Sequence, residues 1–416
     1  FYLLFMSNQY TSLVILHLLD DSQTYISIAK YFLGVNVAGA DDLLLAGPGY
    51  GFLLAMIFKL FGFTSWPILI LQVLASSFGC VYIYKICQIL LDNRKISLIA
   101  SFLAVTSLTS ISLSAAILSD TVFFFLLVLA IYYFLIASRN GGWKYFIISG
   151  IILGISTLLR SVGLFFPIIL LIIALVSPLK SSILSRKSVL LRSVVTGLIL
   201  IIVALPWAIK NNNEHQIFTV SETGTLAARN YLCSRVIFNA ESRESLIELR
   251  DWMAAPKTVQ GRQETARERH EHATLVIKEA FSRYPGSFIT TFLQNIFENI
   301  GALSTIHSLQ LPQFRNLFNI YTENIFTKGN SLLVFFLSLI GFVLLLWENK
   351  KREAIILASI YCYFAFLSGF TYWQGSRIFY PGQLAWTIFV AITLYQIYLA
   401  ITKFINYQKL KQSSKI

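Results

Sequence analysis

The amino-acid sequence predicts an all-α polytopic membrane protein: a bundle of about ten spanning helices with a small, mostly helical extracytoplasmic domain. Three observations predict it. Hydrophobic residues fill 56% of the 416 positions and charged residues only 13%, with a mean hydropathy of +0.68; the charged share is about half that of an ordinary soluble domain. Unbroken apolar runs recur, such as VFFFLLVLAIYYFLIA (122–137) and LIGFVLLLW (339–347). The basic residues fall in every second connection between the runs.

A helix crossing the hydrocarbon core needs about 20 mostly apolar residues. Spans are expected at 1–17 (partial), 66–91, 96–117, 120–137, 143–159, 163–177, 189–207, 330–347, 354–370 and 380–402. The chain starts FYLLFM without an initiator Met, so the beginning of the first span is expected to be missing or removed. PGYGFLLAMIFKLFG (48–62) is apolar but short, and reads as a helix at the outer interface. The organisation expected is an N-terminal transmembrane catalytic module (1–207) with a first outer loop at 18–65, an extracytoplasmic helical domain (208–329), and C-terminal transmembrane helices with a cytoplasmic tail (330–416). Segment 208–329 holds 13 Lys/Arg against 12 Asp/Glu. ESRESLIELRDWM and GRQETARERHEHATLVIKEAFSRYP within it carry charges mixed at helical spacing.

The net charge of +13 marks orientation, not a nucleic-acid partner. Arg94 and Lys95, Arg139 and Lys144, Arg186 and Lys187, Lys350 to Arg352 and the C-terminal lysines share one side, expected to be cytoplasmic and drawn to anionic membrane lipids. The opposite side carries Asp20, Asp21, Asp41, Asp42 and Asp120. The cysteines are Cys80, Cys87, Cys233 and Cys362, with no metal or redox spacing. HExxH, P-loop and GxGxxG motifs are absent, which leaves zinc peptidase, NTPase and dinucleotide chemistry without support.

A charged side chain beside hydrocarbon costs a few kcal/mol, so one retained there is a functional candidate by default. Asp20 and Asp21 stand where the first span emerges, and Asp120 lies in the tight turn ILSDTVFFF. Each is also a good helix cap, the plain alternative. Arg160, Lys210, Arg229 and Arg377 sit at span ends of the same side, as snorkelling interface residues or as ligands for an anionic lipid head group. Three carboxylates facing guanidinium groups suit a hydroxyl nucleophile and a phosphate. Tyr25, Tyr50 and Tyr380 are candidate substrate-binding rings, although an interfacial aromatic belt explains such residues too.

The motifs resemble those of GT-C superfamily glycosyltransferases, in the branch of protein O-mannosyltransferases and aminoarabinose transferases. DDSQTYISIAKYF (20–32) resembles the first outer-loop motif, and AGPGYGFLLAMIFKLFG (46–62) is similar to the Pro-rich entry into an outer-face helix, with Gly51 where a second proline is common. LSD (118–120) resembles the second outer-loop acid, more often Glu. LLRSVGLFFP (158–167), LPWAIKNN (205–212) and RIFYPGQLAWTIFVA (377–391) resemble the later basic motifs. Beyond ARNYL (228–232) the outer domain carries no such likeness.

The resemblance implies a GT-C-like bundle in the cell's inner (plasma) membrane, with its active site on the extracytoplasmic face. It implies transfer of a sugar from a polyprenyl-phosphate donor to a hydroxyl or phosphate of a glycan, lipid or protein acceptor. In the roles it assigns, Asp20 (or, second, Asp21) is the base and Asp120 orients the acceptor or the base. Arg377 with Arg160 or Lys210 holds the departing phosphate, and Arg229 contributes to phosphate binding. A divalent cation, Mg²⁺ or Mn²⁺, shared by Asp20 and Asp120 is left open. The alternative from another class is a lipid-linked glycan transporter or flippase.

Overall fold

The computed structural model describes residues 20–35, 40–176, 183–259, 261–301, 328–372 and 376–413. The first outer loop folds as three helices, α1 (Asp20–Phe32), α2 (Ala40–Ala46) and α3 (Pro48–Phe61). Proline at the first position of α3 suits an N-terminus whose N–H would be unpaired anyway. The preceding Gly47 adopts φ +78° against the Leu158 carbonyl, where a Cβ would stand 3.0 Å from that oxygen. This close approach seats α3 on the end of the fifth expected span.

The membrane part comprises α4 (Trp66–Leu91), α5 (Arg94–Val105), α6 (Leu108–Ser114), α7 (Asp120–Asn140), α8 (Trp143–Leu159), α9 (Pro167–Val176), α10 (Arg186–His215), α16 (Lys328–Trp347), α17 (Lys351–Ser368), α18 (Ser376–Phe379) and α19 (Gln383–Ser413). Packing neighbours follow one another from α10 to α8, α7, α4, α5, α19 and α17, and return through α9 to α10. The core they enclose is rich in fully buried Phe, among them Phe123, Phe134, Phe146 and Phe166. α16 packs on α19 at Gly341, where a Cβ would collide with the Phe389 carbonyl oxygen; small residues permit such approach between membrane helices.

The protein is an all-α, multi-pass membrane protein. Among the described residues, four helices are long and apolar enough to cross a membrane: α4, α7, α10 and the stretch Arg377–Gln412. α5 and α6 add a fifth if their bent pair counts as one span. Shorter apolar helices stand at other expected positions, so fewer full-length spans are described than the ten expected. The expected span 1–17 lies outside the described residues. The expected span 96–117 is broken by a 50° bend. The run TSLTSISLS explains it: Thr106 Oγ1 donates back to the Phe102 carbonyl at 2.9 Å, and Ser107 Oγ accepts from the Ser110 N–H to start a new helix. Hydroxyl side chains compete with the backbone ladder in this way.

α10 runs past the expected boundary at 207 to His215. After it come α11 (Thr223–Ala227), a π-helical turn (Ala228–Cys233), α12 (Ser234–Glu241), α13 (Leu246–Ala254), a two-stranded antiparallel hairpin (Thr258–Val259 with Arg262–Gln263), α14 (Ala266–Arg283) and α15 (Pro285–Ile300). α14 opens with a capping box between Thr265 and Glu268. Along α15 the buried Asn295 donates to the Gly369 carbonyl at 3.0 Å, and Asn299 donates to those of Ser368 and Thr371 at 2.9 and 2.7 Å. The turn that follows α17 is thereby tied to this outer segment.

Candidate active site

α7 begins at Asp120, and Ser119 occupies its N-cap position without a side-chain cap bond. The Ser119 hydroxyl lies 2.7 Å from the Tyr25 hydroxyl instead. The simple capping role is therefore not what Ser119 performs here. Asp120 is the first residue of this 21-residue helix, at the positive end of its dipole.

Both oxygens of Asp120 are engaged. Oδ1 accepts a hydrogen bond from Arg160, the C-cap residue of α8. Oδ2 accepts from Arg377 Nε at 3.1 Å. Arg377 Nη1 reaches 2.6 Å to Asp21 Oδ2 as well. Two arginines thus balance two carboxylates, which makes burial tolerable: Asp120 is 2% exposed and Arg377 8%. An unpaired charge in that position costs several kcal/mol. Asp21 differs, with 53% of its side chain exposed, so it forms the open mouth of the cluster. Arg377 foremost, with Arg160 behind it, holds the Asp21 carboxyl below the usual carboxylate range despite partial desolvation.

The loop before Asp120 is pinned by two elements, α1 and α4. Ser22 Oγ donates to the Ile117 carbonyl at 3.0 Å. Gln72 Nε2, from within α4, donates to the carbonyls of Ser114 and Ala116 at 3.1 and 2.6 Å. Gln72 in turn accepts from the Tyr50 hydroxyl, and the Tyr50 and Tyr25 rings meet edge-to-face at 4.8 Å. Sequence reasoning missed Gln72. The signal was present, as a lone amide inside the apolar run WPILILQVLASS.

The structure brings Asp21, Asp120, Arg160 and Arg377 together, with Tyr25 and Tyr50 behind them. The Asp20 side chain lies outside the described residues. Tyr380 is buried in the core, its ring 4.6 Å from Phe124 and its hydroxyl accepting from Ser110. Lys210 is drawn elsewhere: it pairs with Glu214 one turn along α10 and covers the Trp207 ring at 4.6 Å. Arg229 is 2% exposed on the π-helical turn, donates from Nε to Asn230 Oδ1 at 2.7 Å, and has charged neighbours Glu264, Arg269 and Glu222. Burial pushes its guanidinium below the usual range. Beside it, fully buried Glu222 accepts from Arg269 at 2.7 Å and lies 3.2 Å from His270 Nδ1.

The donor set does not fit a divalent cation at Asp120. Both its oxygens face guanidinium groups that would repel the ion, and among the described residues no three His, Cys, Asp or Glu side chains converge.

The sequence profile of the dolichyl-phosphate-mannose-protein mannosyltransferase family matches residues 46–207, a stretch containing Tyr50, Gln72, Asp120 and Arg160. No curated protein matches the chain in sequence. Among solved structures, the Archaeoglobus fulgidus oligosaccharyltransferase AglB in complex with an inhibitory peptide and a dolichol-phosphate aligns at TM-score 0.54. The identity is 16%, over 99% of this chain and 51% of that one. The same organism's enzyme tethered to an acceptor peptide aligns at 0.52 with 14% identity, over 97% and 50%. ArnT from Cupriavidus metallidurans bound to undecaprenyl phosphate aligns more loosely, at 0.39 and 11% identity, over 94% and 77%. The chain spans about half the length of the oligosaccharyltransferases it matches. The chain thus shares the fold of the archaeal oligosaccharyltransferase, and its residues 46–207 match the mannosyltransferase family profile.

Proposed function

We propose that this protein is a membrane glycosyltransferase that moves a sugar from a polyprenyl-phosphate carrier to an acceptor hydroxyl. One observation carries the reading. A buried carboxylate is shared by two arginines at the ends of distant membrane helices, and a second, half-open carboxylate lies on the same arginine. The family profile and the dolichol-phosphate in the AglB structure support a lipid-phosphate donor.

Chemically, the acceptor oxygen attacks the anomeric carbon while the bond from that carbon to the phosphate oxygen breaks. The acceptor proton passes to a carboxylate of the Asp20–Asp21 doublet, and the polyprenyl phosphate leaves with the bonding electron pair. Arg377 and Arg160 stabilise the charge growing on that phosphate. The incoming phosphate competes with Asp21 for Arg377. As that ion pair loosens, the Asp21 carboxylate regains basicity at the moment a base is needed. Asp120, held by both arginines, fixes their positions. The membrane is the cell's inner membrane, and the site faces away from the end that carries Arg94, Lys144 and Lys187. The acceptor is a glycan, lipid or protein presented on that outer face.

The test is transfer by the purified full chain in lipid nanodiscs, given dolichyl-phosphate mannose or undecaprenyl-phosphate sugars and a panel of hydroxyl acceptors. Glycoside formation or donor hydrolysis that Arg377→Ala abolishes is the expected result. Undiminished turnover in Arg377→Ala, or none with any donor, overturns the proposal.

A further inference from the structure

α15 presents four lines of side chains, each a step of about 100° from the line one residue before it. The line Phe288, Phe292, Ile296, Ile300 packs inward; Phe292 lies 5.1 Å from Phe366 and 5.2 Å from Phe370, ring to ring. The line Thr291, Asn295, Asn299 is buried, with Thr291 accepting from Asn239 and the two asparagines holding the turn after α17. Between these, two exposed lines divide by chemistry. Thr290, Gln294 and Glu298 are polar. Ile289, Leu293 and Phe297 are 55%, 48% and 63% exposed.

The apolar exposed line adjoins the Phe292 line, and so continues the surface of α17. Beyond its basic first turn, α17 exposes Ile355, Cys362 and Phe366, spaced as one helix face. Phe366, at the end nearest α15, is 55% exposed. α17 stands at the span expected over 354–370 and packs in the bundle against α9 and α19, so that exposed face is the one turned away from the bundle. The Ile289–Phe297 line therefore prolongs a lipid-facing surface round a corner, with the polar line one step further from the hydrocarbon. A water-facing helix gains nothing from three large apolar side chains in file, whereas a helix lying in the interface plane is built with this division.

We infer that α15 is an interfacial helix: it lies along the membrane surface with Ile289, Leu293 and Phe297 in the acyl boundary and Thr290, Gln294 and Glu298 toward water. Its partner is the bilayer itself, so the segment containing Asn295 and Asn299 is moored to lipid as well as to α17.

Site-directed spin labelling tests this on the full chain in vesicles of phosphatidylcholine and phosphatidylglycerol. With Cys362→Ser removing the exposed native thiol, nitroxides are placed singly through Leu293→Cys, Phe297→Cys, Thr290→Cys and Gln294→Cys. Collision with oxygen, which concentrates in the bilayer, should exceed collision with a water-soluble nickel chelate severalfold at 293 and 297. The order should reverse at 290 and 294. Should either apolar-line variant not fold, Ile289→Cys carries the same measurement. Nickel accessibility equal to or above that of oxygen at 293 and 297 overturns the inference. So does an immobilised spectrum with low access to both, which would mean a protein partner covers the line.

Discussion

Both carboxylate oxygens of Asp120 are held by arginines, so this one residue sets the position of the two cations assigned to the donor phosphate. Asp120→Ala would leave buried Arg377 and part-buried Arg160 without the carboxylate they share. Thermal or denaturant unfolding in detergent should show a loss of about 3–5 kcal/mol, the usual cost of breaking a buried pair from one side. Arg377→Lys keeps the charge but cannot span both carboxylates with a planar fork. Binding of dolichyl phosphate should weaken about tenfold or more, with acceptor affinity little changed; equal losses for both would count against a phosphate role. Asp21 gives a pH signature. Its folded pKa lies below the ordinary value, so its pairing with Arg377 is fully present above about pH 3.9 and is lost as pH falls through the lower folded value. The acid limb of kcat/KM should therefore fall below the normal carboxylate range, and Asp21→Asn should remove that limb together with most of the turnover.

At the level of elements, the turn leading to Arg377 is fixed by α15. Asn299→Ala strips the donor from the Ser368 and Thr371 carbonyls, at a cost of roughly 1–3 kcal/mol each if no water replaces it. Dolichyl phosphate binding should then fall toward that of Arg377→Lys, while a variant at exposed Gln294 should bind as the parent does. What the sequence disclosed at this scale depended on charge. Asp21, Asp120, Arg160 and Arg377 stood out because charges at apolar span ends are costly, and no plainer use accounted for all of them. Lys210 stood out equally, but Glu214 four residues on was a nearer partner and took it. Arg229 lay in a segment where acids and bases are evenly mixed, and no periodicity there reveals which acid a guanidinium will meet. The bend at Thr106–Ser107 was written in a serine- and threonine-rich run that total hydropathy averages away. Gln72 was hidden because an amide in an apolar helix announces a hydrogen bond without naming its partner.

Across the whole molecule, the two ends of the bundle differ in sign. Arg94, Lys144, Arg186 and Lys351 stand at the starts of α5, α8, α10 and α17 on one end. The start of α7, the end of α8 and the short α18 bring the carboxylate–arginine cluster to the other. In sealed, oriented vesicles a thiol at Lys144→Cys should react only from the cytoplasmic side and one at Gln23→Cys only from the opposite side; labelling of both from one side would refute the orientation. Finally, Arg377 lies 257 positions along the chain from Asp120, so during synthesis the carboxylate of α7 waits for its second arginine until α18 has been made. A nascent chain paused before that point holds Asp21 and Asp120 against Arg160 alone, and any fragment ending upstream of residue 377 should be inert however well it inserts.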